Sequence, residues 1–127
     1  MLKLEALADA VAGLNDWMNP ASDAYQLRNP GLLRAFTLRH LADESGRRRF
    51  PSLVDGYQAL VSDLQIKCSG MSRSKLKRDS HIVNLLVKGF CQPPASEEYV
   101  LCFLREALPG YNVTPETPLK FFLEAEK

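Results

Sequence analysis

Residues able to do chemistry are sparse in this chain, and their spacing narrows what that chemistry could be. Its two histidines, His40 and His81, lie far apart, which leaves no imidazole-based metal site to expect. Cys68, Cys91 and Cys102 are odd in number and lack C-x-x-C spacing, so neither a zinc cluster nor a disulfide framework follows. Set among apolar helical residues, they read as small buried hydrophobes. His81 has no serine or cysteine near it in a nucleophile setting and reads as a surface or cap residue. The basic run of Lys67, Arg73, Lys75, Lys77 and Arg78 could meet phosphates or another anionic polymer. It lacks interleaved aromatics and a glycine-rich cradle, so it reads as a solvated loop, and Arg47-Arg48-Arg49 reads the same way. Two features remain. One is the carboxylate of Asp16 beside Asn15 in "LNDW", with Glu5, Asp9 and Asp23 the nearest others. The second is the turn Asn29-Pro30-Gly31, with Trp17, Tyr25 and Phe36 around it. Sugars dock on aromatic faces, and a core packs them equally well.

The elements that must position these residues are helical. A first helix is predicted from about Lys3 to Trp17, with Leu4, Leu7, Ala8, Val11 and Leu14 sharing a face and Pro20 beyond its end. In "LLRAFTLRHLA", Leu33, Phe36, His40 and Leu41 have helical spacing, while Leu32 to Phe36 also suits a short strand; "DESGRRR" is a polar loop. The clearest helix is "PSLVDGYQALVSDLQIKC", with Ser52 as N-cap, Asp55 in a capping-box arrangement and a stripe of Leu53, Tyr57, Leu60, Val61 and Leu64. A further helix runs from about Ser80 to Phe90 and stops at Pro93-Pro94. Ser96 caps "EEYVLCFLREAL", whose Glu97 and Glu98 suit a helix N-terminus. Thr117 with Pro118 starts a last helix towards the end of the chain. The expectation is a mainly α, compact domain of five to six short helices, with at most a small β element around residues 32–51.

Bulk properties bound the function classes. The 127 residues make one domain by size, residues 1–127, and 46% hydrophobic with 24% charged residues is ordinary globular usage. A net charge of +1 argues against general capture of nucleic acid or anionic membrane. No apolar run reaches the roughly 20 residues that span a bilayer. The acids within the first helix, and its lack of a continuous apolar core, lead to the expectation that it is not a signal peptide. Synthesis in the cytoplasm is expected, with virion association or export by another route both compatible. No membrane insertion, metal or cofactor is expected.

The order of landmarks resembles the lysozyme-like domain of phage and bacterial peptidoglycan-degrading proteins. That family has a helix ending in Glu-Gly-Trp, an aromatic, Asn-Pro-Gly-Asn-Leu-Arg, a Phe-x-Ser-x-x-x-Gly-x-x-Ala-Leu helix start and a Pro-Pro segment ahead of a helix with an early Tyr. Here "LADAVAGLNDW", "YQLRNPGLLR", "FPSLVDGYQAL" and "FCQPPASEEYVLCFLREALPGYNVTPETPL" follow in the same order over nearly the whole chain. Trp17, Tyr25, Asn29, Pro30, Gly31 and Arg34 match residue by residue. The resemblance implies a lysozyme-like helical fold with a cleft for the peptidoglycan glycan strand. Trp17, Tyr25, Asn29, Gly31 and Arg34 would be its substrate-binding residues.

The departures fall on the chemistry. The resemblance places the general acid, a Glu that protonates the glycosidic oxygen, where this chain has Asn15. A carboxamide donates no proton for that step. Asp16 stands at the family's Gly and could act as acid only if the helix has unwound there. Leu32 replaces the second Asn of Asn-Pro-Gly-Asn, and residues 34–49 replace a more glycine-rich stretch. The implied function is a catalytically impaired lysozyme-like domain that binds peptidoglycan, or serves as a structural or interaction module for a protein partner. One alternative is an active glycan-strand hydrolase or lytic transglycosylase using Asp16; another is a helical interaction domain working through its basic loop.

Overall fold

The computed structural model describes residues 3–35, 42–43, 46–71, 77–89 and 96–124. Five α-helices are present among them: α1 (Lys3–Leu14), α2 (Asp23–Gln26), α3 (Leu53–Cys68), α4 (Ile82–Gly89) and α5 (Glu97–Ala107), followed by a terminal 3-10 helix (Leu119–Leu123). No sheet forms. The mainly helical expectation is met, and local chemistry explains most boundaries. Ser52 Oγ accepts from the Asp55 backbone N–H at 3.1 Å and donates to the Asp55 carboxylate at 3.0 Å, which fixes the start of α3. Ser96 Oγ accepts from the Tyr99 N–H at 3.2 Å and starts α5 in the same way.

α1 is the central element. Ala6, Leu7, Ala8, Ala10, Val11 and Ala12 are all buried, a wider face than the expected stripe. The reason is that α1 packs against α3, α5 and the 3-10 helix together, and its alanines admit close neighbours on several sides. Leu60 and Leu64 of α3, Ile82, Leu85 and Leu86 of α4, Val100 and Leu104 of α5 and Phe122 complete the core. Each such side chain contributes about 1.5–3 kcal/mol by leaving water.

Three expectations are corrected. α1 stops at Leu14 rather than Trp17, because a left-handed residue closes it, as described below. Residues 32–35 and 42–43 are not helical; Arg34 with Arg47 and Ala42 with Arg48 form isolated antiparallel bridges, outside any strand. Phe36, His40 and Leu41 lie outside the described residues. The last helix is a 3-10 turn that begins at Leu119, not Thr117. Its first N–H groups leave the helix: Leu119 donates to the Ser80 carbonyl at 2.8 Å and Lys120 to the Arg78 carbonyl at 3.0 Å. Thr117 Oγ1 instead accepts from Thr114 N–H at 2.8 Å. These bonds, with the His81–Pro118 bridge, tie the C-terminal segment to the entry of α4.

Candidate functional site

The site is built where α1 ends. Asp16 has φ 56°, in the left-handed region. Its N–H donates to the Gly13 carbonyl at 3.0 Å, and the next N–H, of Trp17, reaches back to the Ala12 carbonyl at 3.2 Å. This pair of bonds is a Schellman closure, which glycine normally serves and aspartate tolerates. α2 closes identically: Arg28 has φ 53°, its N–H donates to Tyr25, and the Asn29 N–H donates to Ala24 at 2.8 Å. Two successive closures therefore turn the chain back on itself and carry Asn29-Pro30-Gly31 beneath the end of α1.

The bend is held by one amide. Asn29 is 0% exposed. Its Nδ2 donates to the Leu33 carbonyl at 2.9 Å and the Arg48 carbonyl at 2.8 Å, and its Oδ1 accepts the Leu33 N–H at 2.9 Å. All of its hydrogen-bonding capacity apparent here serves backbone, which is why the position demands Asn. Helix α3 presses on the same bend through Gly56, where an added Cβ would lie 2.0 Å from the Arg28 carbonyl oxygen. Gly31 is equally close to α3, its virtual Cβ 2.5 Å from Leu60 Cδ1. Asn15 then joins helix to bend directly: its Nδ2 donates to the Pro30 carbonyl at 3.0 Å.

Above this junction lies a cavity of about 430 Å³, within the range of small-ligand pockets. It is lined by Leu14, Asn15 and Asp16 from the end of α1, Asp23 and Ala24 from α2, and Leu32 with Arg47 from the facing extended segments. The end of α1 and Leu32, which follows the bend, thus share one hollow. Asp16 is exposed, and its Oδ2 accepts from Asn19 Nδ2 at 2.9 Å. It lacks the apolar enclosure that a general acid working near neutral pH requires.

None of Trp17, Tyr25, Asn29, Gly31 and Arg34 lines this pocket. Trp17 is half-buried, stacked on Tyr57 with ring centroids 6.1 Å apart. Tyr25 is half-buried in α2, and Arg34 is exposed at the bridge to Arg47. Tyr57 also donates its hydroxyl to Asp9 at 2.7 Å; burial, then this bond and the charges of Asp9 and Glu5, push its pKa up. Of the basic run, Lys67 pairs with Asp63 at 2.7 Å, and Lys77 and Arg78 are exposed. Arg73 and Lys75 lie outside the described residues.

The main correction is Arg47. Read in the sequence as part of a solvated run, it is 8% exposed and lines the pocket. Arg48 lies over the Phe50 ring at 4.6 Å, and Arg49 is exposed. Burial, then the nearby Arg34 charge, lower the Arg47 pKa, while Asp43 and Asp23 oppose that shift. The missed signal was the glycine ahead of it. Gly46, at φ 84°, donates its N–H to the Asp43 carbonyl. Residue 47 then pairs with Arg34 in an antiparallel bridge.

Compared with known proteins, the chain matches no family model, no curated protein and no solved structure.

Proposed function

We propose that this chain is a lysozyme-like domain without its general acid, serving as a peptidoglycan-binding module. The observation carrying the reading is the Asn15 amide, bonded to the Pro30 carbonyl beside a pocket at the position where the resemblance expects a catalytic Glu. A carboxamide there keeps the junction closed and removes proton donation. The buried Asn29, the close approach at Gly56 and the left-handed residue 16 give physical reasons for the Asn, the Gly and the family's Gly in those landmarks. These reasons support the resemblance motif by motif. The occupant would be the glycan strand, or a protein in its place.

Retention on purified peptidoglycan tests it. Wild type is retained, and Leu32→Glu, which puts a charge into the pocket wall, loses retention while keeping its thermal midpoint. Absence of retention, or retention indifferent to Leu32→Glu, removes the glycan reading. Asn29 is unsuitable for this test, since its loss would disturb the fold.

A working enzyme is the second reading, favoured by one observation: the helix has ended before Asp16, whose left-handed backbone brings it to the same pocket as Asp23. Two carboxylates beside one cleft are what glycosidic cleavage requires. Clearing of cell-wall suspensions that disappears in Asp16→Ala would establish this reading, and absence of clearing between acid and neutral pH would end it.

A further inference from the structure

We infer that the pocket at the end of α1 is a receptor for an amino-acid zwitterion, with Arg47 taking the carboxylate and Asp16 and Asp23 taking the ammonium group. Arg47 is the starting point. It is 8% exposed, yet among the described residues its guanidinium makes one hydrogen bond, from Nη1 to the Leu32 carbonyl at 3.4 Å. It forms no ion pair among those residues. A guanidinium has five N–H donors, and no Arg47 nitrogen is both fully buried and without a partner, so those not bonded to Leu32 keep access to solvent. The remaining donors belong to a side chain that lines the cavity. A planar carboxylate is the group whose geometry matches that fork.

The rest of the lining selects among carboxylates and other anions. Asp16 and Asp23 line the same cavity, both exposed, so the three charged groups sum to a negative site. A dianion such as inorganic phosphate would gain Arg47 and face two like charges. A molecule with only a carboxylate would gain nothing from the two aspartate charges, and one with only an amine would leave Arg47 as it is. A zwitterion answers both signs at once. Leu14, Ala24 and Leu32 supply apolar wall between the poles.

This inference stands apart from the glycan reading, because it concerns charged groups that a neutral sugar ring does not carry. Free glycine, N-acetylglycine, glycinamide and inorganic phosphate are titrated into the full chain, following the Arg47 side-chain and Leu32 amide resonances by NMR. The expectation is saturable binding of glycine at least about tenfold tighter than any of the other three, since each of them lacks one charge-assisted contact or meets like charge. Asp23→Asn should shrink the advantage of glycine over N-acetylglycine, and Arg47→Lys should weaken both. Absence of saturation with glycine overturns the proposal. So does binding of N-acetylglycine or phosphate as tight as that of glycine. The wild-type series decides without any variant, so misfolding of a mutant does not shelter the idea. Glycine binding without retention on peptidoglycan would leave the receptor standing and remove the glycan reading, and the converse result would do the opposite.

Discussion

The same substitution, Gly→Ala, should act in opposite directions at two helical glycines, and the geometry supplies the sizes. At Gly56 in α3 the new Cβ would lie 2.0 Å from the Arg28 carbonyl oxygen and 2.9 Å from Pro30 Cδ. Contacts that short do not occur, so α3 and the bend would have to separate by about 1 Å, a backbone form of overpacking. Neither partner is free to move. The start of α3 is held by the Ser52 cap, and Phe50 N–H is bonded to the Leu27 carbonyl at 2.9 Å. The bend is held by Asn29. Overpacking with side chains that can adjust costs about 1–3 kcal/mol, so we expect at least about 3 kcal/mol here. For a domain of this size that lowers the thermal midpoint by about 10 °C or more. At Gly13 in α1 the nearest atom to a new Cβ is Phe103 Cζ at 3.5 Å, an ordinary contact. Alanine should then add about 0.5–1 kcal/mol through helix propensity and a stiffer unfolded chain. Urea and thermal unfolding followed by circular dichroism measure both. Two alanines that shift stability in the same direction, or a Gly56→Ala loss below about 1 kcal/mol, would refute the close approach of α3 to the bend.

Asn29→Ala strands the Arg48 carbonyl and the Leu33 N–H inside the protein, leaving the Leu33 carbonyl its bond from the Arg48 N–H, and should cost about 3 kcal/mol, read from the same unfolding curves; a loss near zero would show that the bend closes without it. Cys68 should resist iodoacetamide in the native state while exposed Cys102 reacts, as mass spectrometry of alkylated peptides would reveal. Burial, then the charge of Asp63, push the Cys68 thiol from 9.0 up to about 12, with Lys67 opposing. Folding favours the protonated thiol, so its stabilisation is present below pH 9 and lost as pH climbs towards 12, and Tyr57 acts in the same alkaline direction. Asn15→Glu should gain cell-wall clearing that Asn15→Gln lacks, because it restores a proton-donating carboxyl where the resemblance places the general acid; a folded but inert Asn15→Glu would remove the lost-acid account.

What was legible in the sequence was what is decided locally. Ser52 and Ser96 cap their helices through bonds reaching three residues, and a serine ahead of an apolar period announces that. α1 and α3 declare themselves by spacing. The end of α1 did not, because Asp16 does the work usually done by glycine, and an aspartate carries no such signal. The 3-10 ending was hidden for a different reason: Leu119 and Lys120 bond to residues 80 and 78, about forty positions away. Arg47 was misread because three arginines in a row look solvated, whereas Gly46 and the bridge to Arg34 decide which of them faces inward. Asp16, a candidate acid from the sequence, lines the pocket, whereas Trp17, Tyr25, Asn29, Gly31 and Arg34 do not, and Asp23, Leu32 and Arg47 stand in the wall instead.

Strain also points to the pocket. Among the described residues, four other than glycine have positive φ: Asp16, Arg28, Leu32 and Asn112. Arg28 and Leu32 flank the bend, Asp16 closes α1 above it, and two of the four, Asp16 and Leu32, line the cavity. Left-handed backbone costs an L-residue about 1–2 kcal/mol, less for Asp or Asn, and glycine would remove that cost. Leu32 is the telling case, since its side chain offers no local hydrogen bond to offset the strain and it is only half-buried. Strained residues persist where surroundings enforce them, and they gather at sites that work. Leu32→Gly should therefore leave stability unchanged or raise it by up to about 1 kcal/mol, the relief of strain outweighing the lost packing. It should at the same time weaken whatever the pocket holds, glycine by NMR or peptidoglycan by retention. A variant that is less stable by more than about 1 kcal/mol would mean that Leu32 is held there for packing, and the strain would then say nothing about function.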